Sequence, residues 1–103
     1  MTYSVLTRRR FEGDYDDILF YYKVKIGMPG AASSFAAAMN AAIDDICRFP
    51  EIRAVSRKPG LASRQVRAYI VRRYTIYYRV EGNDVILLRL LHQSQDTSRA
   101  IIE

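Results

Sequence analysis

Three runs of strand-forming residues stand in the second half of this chain, about Gln65 to Val71, Tyr74 to Glu81 and Asp84 to His92, with only two residues between neighbours. Connections as short as Arg72-Arg73 and Gly82-Asn83 make hairpins, so an antiparallel meander is expected over residues 65–92. The rest of the chain must then cover one face of that meander. Alternation sorts the two faces: Val66, Ala68, Ile70, Tyr74, Ile76, Tyr78, Val80, Ile86, Leu88 and Leu90 belong to the face expected to meet the helices. The opposite face would display Arg67, Tyr69, Thr75, Tyr77, Arg79, Leu87, Arg89 and Leu91. A mixture of arginine, tyrosine and aliphatic side chains is not a plain solvated surface. Such a face either binds something or is covered by something.

The first fifty residues supply the covering layer. Tyr3-Ser4-Val5-Leu6 has strand propensity and is closed off by Thr7 and three arginines. Phe11, Tyr15, Ile18, Leu19, Tyr22 and Ile26 then recur at helical spacing. Glu12, Asp14, Asp16 and Asp17 lie near the start of that helix, where its dipole favours negative charge, and Lys23 and Lys25 near its end, before a terminating Gly27. Pro29 opens a second helix with Ala32, Phe35, Met39, Ala42, Ile43 and Ile46 on one stripe, and Pro50 ends it. Its alanines favour helix and let the two helices pack closely. Residues 51–64 have no period, are basic and contain Pro59-Gly60, so they read as a loop long enough to be mobile. The expected fold is α+β, ordered β-α-α-β-β-β, with a helical hairpin packed on one face of a small, mainly antiparallel sheet.

A length of 103 residues, half of them hydrophobic and 12% aromatic, suits a single domain over residues 1–103 whose core needs neither disulfide nor metal. No cofactor and no metal ion are expected. No apolar run approaches the ~18 residues of a membrane span, and Arg8-Arg9-Arg10 precedes any apolar run of signal-peptide type. With Cys47 as the only cysteine, a reducing cytoplasmic setting is expected. Cys47 sits within an apolar helical stripe, which marks it as a small buried hydrophobe rather than a nucleophile.

The net charge of +5 is unevenly placed. Residues 1–50 hold six Lys/Arg and six Asp/Glu, whereas residues 51–103 hold ten and five. From Arg53 to Arg79 there are eight basic residues, seven of them arginine, and no acidic one. That segment sets up a positive field for a polyanion or an acidic partner, and guanidinium groups bind phosphate and carboxylate bidentately.

The opening Tyr3-Ser4-Val5 is one of several landmarks that occur in the same order in a known group of proteins. The others are Ile18-Leu19-Phe20-Tyr21-Tyr22 ending the first helix, a Phe35 helix closing on Phe49-Pro50, Val66-Arg67, the strand Tyr74-Thr75-Ile76-Tyr77-Tyr78-Arg79-Val80, and Leu90-Leu91-His92 with Asp96. Together they resemble the RelE/ParE superfamily of toxins from type II toxin-antitoxin systems, over essentially the whole chain, and its ParE-like branch in particular. The resemblance implies the α+β fold derived above, a cognate antitoxin as partner, a possible toxin-antitoxin hetero-oligomer, and one of two targets. RelE-like members cut messenger RNA on the ribosome; ParE-like members inhibit DNA gyrase.

Metal-free RNA cleavage needs a base for the 2'-hydroxyl, an acid for the leaving oxygen and cations for the phosphate. Arg67, Arg79 and Arg89 could supply the cations, and His92, the only histidine, could act as a base. Yet alternation places His92 at the edge of the packed face, where a hydrogen-bonded structural role is the commoner one. Residues 93–103 contain neither Tyr nor His, and Gln93, Ser94 and Gln95 stand where the resemblance would lead one to expect a basic residue. The balance favours a gyrase inhibitor without chemistry of its own, with ribosome-dependent RNA cleavage as the alternative. In either case Arg64, Arg67, Tyr69, Tyr77, Arg79 and Arg89 are the candidate residues for binding target or antitoxin, the tyrosines as stacking or interface groups.

Overall fold

The computed structural model describes residues 3–58 and 60–94; Pro59 of the Pro59-Gly60 turn, and Gln95, Asp96 and the tail beyond them, lie outside the described residues. The element order is β1 Ser4–Thr7, α1 Arg9–Phe20 continuing into a π-helical turn Tyr21–Lys25, α2 Pro29–Arg48, then β2 Arg67–Val71, β3 Tyr74–Glu81 and β4 Asp84–His92. The strands form one sheet in the order β1-β4-β3-β2. β1 runs parallel to β4, and the other pairings are antiparallel. The fold is thus α+β, with the helical hairpin packed on one face of a mostly antiparallel sheet. Among the described residues no helix is long and apolar enough to cross a membrane.

The core between hairpin and sheet is built from Phe11 and Ile18 of α1, Phe35, Met39, Ala42 and Ile46 of α2, and Val71, Ile76, Tyr78, Val85, Leu87 and Leu90 of the sheet. Phe35 is its aromatic centre, meeting Tyr15, Tyr22 and Tyr74 at ring-centroid distances of 6.0, 5.9 and 5.2 Å. Cys47 is buried beside this layer, as its place on the stripe implied.

Two of the three meander strands, β2 and β4, differ in phase from plain alternation. In β2 the residues that meet the helices are Tyr69 and Val71, not Ala68 and Ile70. The cause is the two-residue Arg72-Arg73 turn, which places Val71 opposite Tyr74 and Tyr69 opposite Ile76, and directly opposed residues share a face. Ile70 instead stands 61% exposed on the outer side. In β4 the register shifts where Tyr78 faces Leu87 and Tyr77 faces Arg89, so Leu88 is an extra residue. Val85 and Leu87 face the helices before this bulge and Leu90 after it, while Ile86 and Leu88 do not join that layer.

Part of the outer face of the sheet is covered by the chain itself. Leu61 and Val66, from the connection between α2 and β2, form a second small core with Tyr77 and Leu91, flanked by Ala68 and Leu88. The connection is therefore anchored rather than free: Leu61 is fully buried, Val55 bridges to Arg67, and the Ser56 amide donates to the Val66 carbonyl at 2.8 Å. Gln65, in the left-handed region at φ 57°, turns the chain into β2 and delays the strand to Arg67.

Candidate functional site

The residues expected to share one binding face are distributed over three places. Arg67 and Tyr69 lie on the helix side of β2, at the edge of the sheet. The Arg67 Nη1 donates to the Arg53 carbonyl at 2.6 Å. Tyr69 donates its hydroxyl to Asp45 Oδ2 of α2 at 2.9 Å, and the Arg53 guanidinium sits 4.6 Å above its ring. Burial, then the hydrogen bond and charge of Asp45, push the Tyr69 hydroxyl above the ordinary tyrosine value, against the opposing pull of Arg53. Next to them Tyr78 donates to the Pro50 carbonyl at 2.8 Å within the core.

Tyr77 is on the opposite side and only 7% exposed, held under Leu61 and Val66. It has no open ring face to offer a base. Arg79 is on that side too, with Nη2 on Glu81 Oε1 at 2.9 Å and a buried Nε that meets no hydrogen-bond partner among the described residues. Arg64 is exposed on the turn that leads into β2.

The third place is the edge of β4 beyond the end of β1. There Arg89 grips Asp14 of α1 with two bonds, Nε to Oδ2 at 2.7 Å and Nη2 to Oδ1 at 2.9 Å. The same Oδ2 accepts the Leu90 amide at 2.9 Å, so the carboxylate closes a strand edge that β1, ending opposite Leu87, leaves open. Three residues on, His92 packs edge-to-face on Tyr74, 5.3 Å between centroids, and its Nδ1 accepts the Ser94 amide at 3.1 Å and lies 2.7 Å from the Ser94 hydroxyl. Arg67, Arg79, Arg89 and His92 thus do not assemble as one constellation.

Sequence patterning missed a different feature. A cleft of ≈ 420 Å³ opens between the end of the hairpin and the β2–β3 turn, walled by Tyr21, Tyr22, Ile26, Arg73, Tyr74 and His92. Burial is the main reason the Tyr74 hydroxyl is held above its usual value, with the neighbouring Tyr22 adding to it. The signal was present in the sequence: Phe20, Tyr21 and Val24 are apolar positions off the stripe that packs α1, and all three are exposed. Among the described residues no cluster of His, Cys, Asp or Glu could hold a metal ion.

The family model described as "ParE toxin of type II toxin-antitoxin system, parDE" matches residues 5–97 of the chain. The chain belongs to the ParE toxin family. This ParE-family protein is a toxin of the type II toxin-antitoxin class. Among solved structures it is similar to a chain of the chromosomal ParDE system from P. aeruginosa, at 23% identity and a TM-score of 0.69, over 88% of this chain and 96% of that one. It is also similar to a chain of the RelBE2 toxin-antitoxin complex from Mycobacterium tuberculosis, at 21% identity and a TM-score of 0.64, over 90% and 100%. At such identities the likeness establishes the fold. No curated protein sequence matches the chain.

Proposed function

We propose that this ParE-family toxin acts by binding DNA gyrase rather than by cutting RNA, and that a cognate antitoxin neutralises it by covering its surface. The observation that supports the first part is the dispersal of the groups an RNA-cleaving site would need. Arg79 lies five residues along β3 from Tyr74, the residue opposite His92, which is about 17 Å of extended strand. A general base and the cations that stabilise a phosphate must all lie within hydrogen-bond reach of one reacting group. Each arginine, moreover, is engaged by a partner within the fold: Arg67 by the Arg53 carbonyl, Arg79 by Glu81, Arg89 by Asp14. The geometry suits a binding protein better than a nuclease.

The test is a supercoiling assay with purified toxin and gyrase, which should show inhibition or trapped cleaved DNA. Normal supercoiling at large toxin excess, with new 5' ends on translated messages after induction, would replace this reading by ribosome-dependent RNA cleavage.

The antitoxin part is supported by a surface of mixed apolar and cationic character. Phe49 and Ile52 are exposed around an open depression of ≈ 730 Å³ that Tyr3 and Pro50 also line. Arg53, Arg57, Lys58 and Arg64 are exposed on the connection that follows. An acidic amphipathic segment would bury its apolar side chains there and meet the arginines with carboxylates. Copurification with the product of the neighbouring gene, weakening steeply as salt is raised, is the expected result. The proposed setting is the cytoplasm, where gyrase and antitoxin both reside.

A further inference from the structure

The tip of the helical hairpin carries an apolar surface that no described element covers. Phe20, Tyr21, Val24, Ile26 and Met28 are all exposed, Val24 at 61% and Met28 at 55%. The local backbone places them there. The Ile26 amide bonds to the Tyr21 carbonyl at 2.9 Å, five residues back, which widens the last turn of the helix into a π-turn. Gly27, at φ 71°, then reverses the chain, and the Met28 amide closes it on the Tyr22 carbonyl at 2.8 Å. Wide turns of this kind are rare and recur at functional sites.

The charge around this tip is mainly positive. From Ile18 to Ile43 the chain has no acidic residue, while Lys23 and Lys25 lie within the π-turn and Arg73 stands across the adjacent cleft. Asp17, on the α1 wall of the cleft, is the acidic side chain that lines it. Aromatic residues, methionine and arginine around a central depression are the composition of an interface centre, and small soluble proteins seldom leave such a contiguous patch open without a partner.

We propose that the hairpin tip is the surface on which the toxin docks to its protein target, an acidic surface of gyrase that seats an apolar side chain in the cleft between Tyr21 and Tyr74. This rests on the gyrase reading above and gives that reading a site. A second copy of the chain fits poorly, because a two-fold contact would bring Lys23, Lys25 and Arg73 of both copies together. DNA fits poorly as well, because five apolar side chains have nothing to exchange with a phosphate backbone.

The test uses the full chain with two double variants, Val24→Glu with Met28→Glu, and Lys23→Glu with Lys25→Glu. All four positions are exposed, so both variants should keep the wild-type thermal transition; the second keeps the test alive should the first fold badly. Each variant is expected to raise the toxin concentration for half-inhibition of supercoiling about tenfold or more, the loss of one interface anchor. If wild type inhibits gyrase and both folded variants inhibit equally well, the hairpin tip is not the docking surface, although the gyrase reading stands. If wild type itself leaves supercoiling untouched, the gyrase reading falls first and this proposal with it. A wild-type dimer in sedimentation that the first variant converts to monomer, or binding to DNA alone that the second abolishes, would assign the tip to those occupants and overturn it.

Discussion

Replacing Asp14 by alanine is expected to be the most damaging single change at the open edge of the sheet. The carboxylate accepts three hydrogen bonds, two from Arg89 and one from the Leu90 amide, at 2.7 to 2.9 Å. Hydrogen bonds to a charged group are worth roughly 1.5–3 kcal/mol each, and removing one partner of a buried ion pair costs roughly 3–5 kcal/mol. The two side chains keep 17% and 15% exposure, so solvent screens part of the loss and the energies do not add. About 2–4 kcal/mol is the expected cost of Asp14→Ala, a drop in melting temperature on the order of 10–25 °C for a domain of this size. Asp14→Asn keeps a carbonyl oxygen for one donor while losing the charge, and should cost about half as much. Adding Arg89→Met to Asp14→Ala removes the guanidinium along with its partner, so the double variant should be about 1–3 kcal/mol more stable than the sum of the singles. Urea unfolding of the wild type, Asp14→Ala, Asp14→Asn, Arg89→Met and the double variant measures all of these terms. A cost below about 0.5 kcal/mol for Asp14→Ala, with additive double-variant behaviour, would show that the edge closes without this carboxylate.

Three further outcomes follow from the same packing. Tyr78→Phe leaves the Pro50 carbonyl without its donor inside the core and should cost about 1–2 kcal/mol in denaturant unfolding. Leu61→Ala opens a cavity in the small outer core, with a cost of about 2–4 kcal/mol and faster proteolysis of residues 51–64; unchanged proteolysis would mean the connection is held by other contacts. Tyr15, Tyr69, Tyr74 and Tyr78 are all raised above 10.0, in each case mainly by burial. Because the folded state holds these protons more tightly than the unfolded chain, their contribution is complete below the unfolded value and is lost as pH climbs through the folded ones. The urea midpoint should fall as pH rises past the ordinary tyrosine value of 10.0, and less steeply in Tyr69→Phe. A flat profile past that value would contradict it.

Much of the architecture was legible in the residues because it rests on local signals. The stripe Phe11-Tyr15-Ile18-Tyr22 and the stripe Ala32-Phe35-Met39-Ile46 are helical periods over a few turns, and both define buried or half-buried faces. The two-residue connections Arg72-Arg73 and Gly82-Asn83 fixed the meander. They also held the correct facing of β2, since pairing Val71 with Tyr74 across such a turn puts Tyr69 and Arg67 on the helix side; simple alternation started from Val66 missed it. The bulge at Leu88 has no such signal, because a run of Leu, Arg and Leu reads alike in either phase.

The surroundings of the candidate binding residues were less legible, for a physical reason that Arg89 and Tyr77 show plainly. An arginine or tyrosine in a strand is the same residue whether it awaits a ligand or already has a partner, and the partner lies far away in sequence. Asp14, which engages Arg89, is 75 residues distant, and Leu61 and Val66, which cover Tyr77, come from a stretch without any period. The sequence by itself determined the elements, their order, the family and the uneven charge, all set by neighbours a few positions apart. Only the tertiary structure decided that the arginine-tyrosine face is largely covered and dispersed, and that the hairpin tip is an apolar surface no described element covers. Those outcomes depend on long-range pairing and on a one-residue slip in register, neither of which a local pattern encodes.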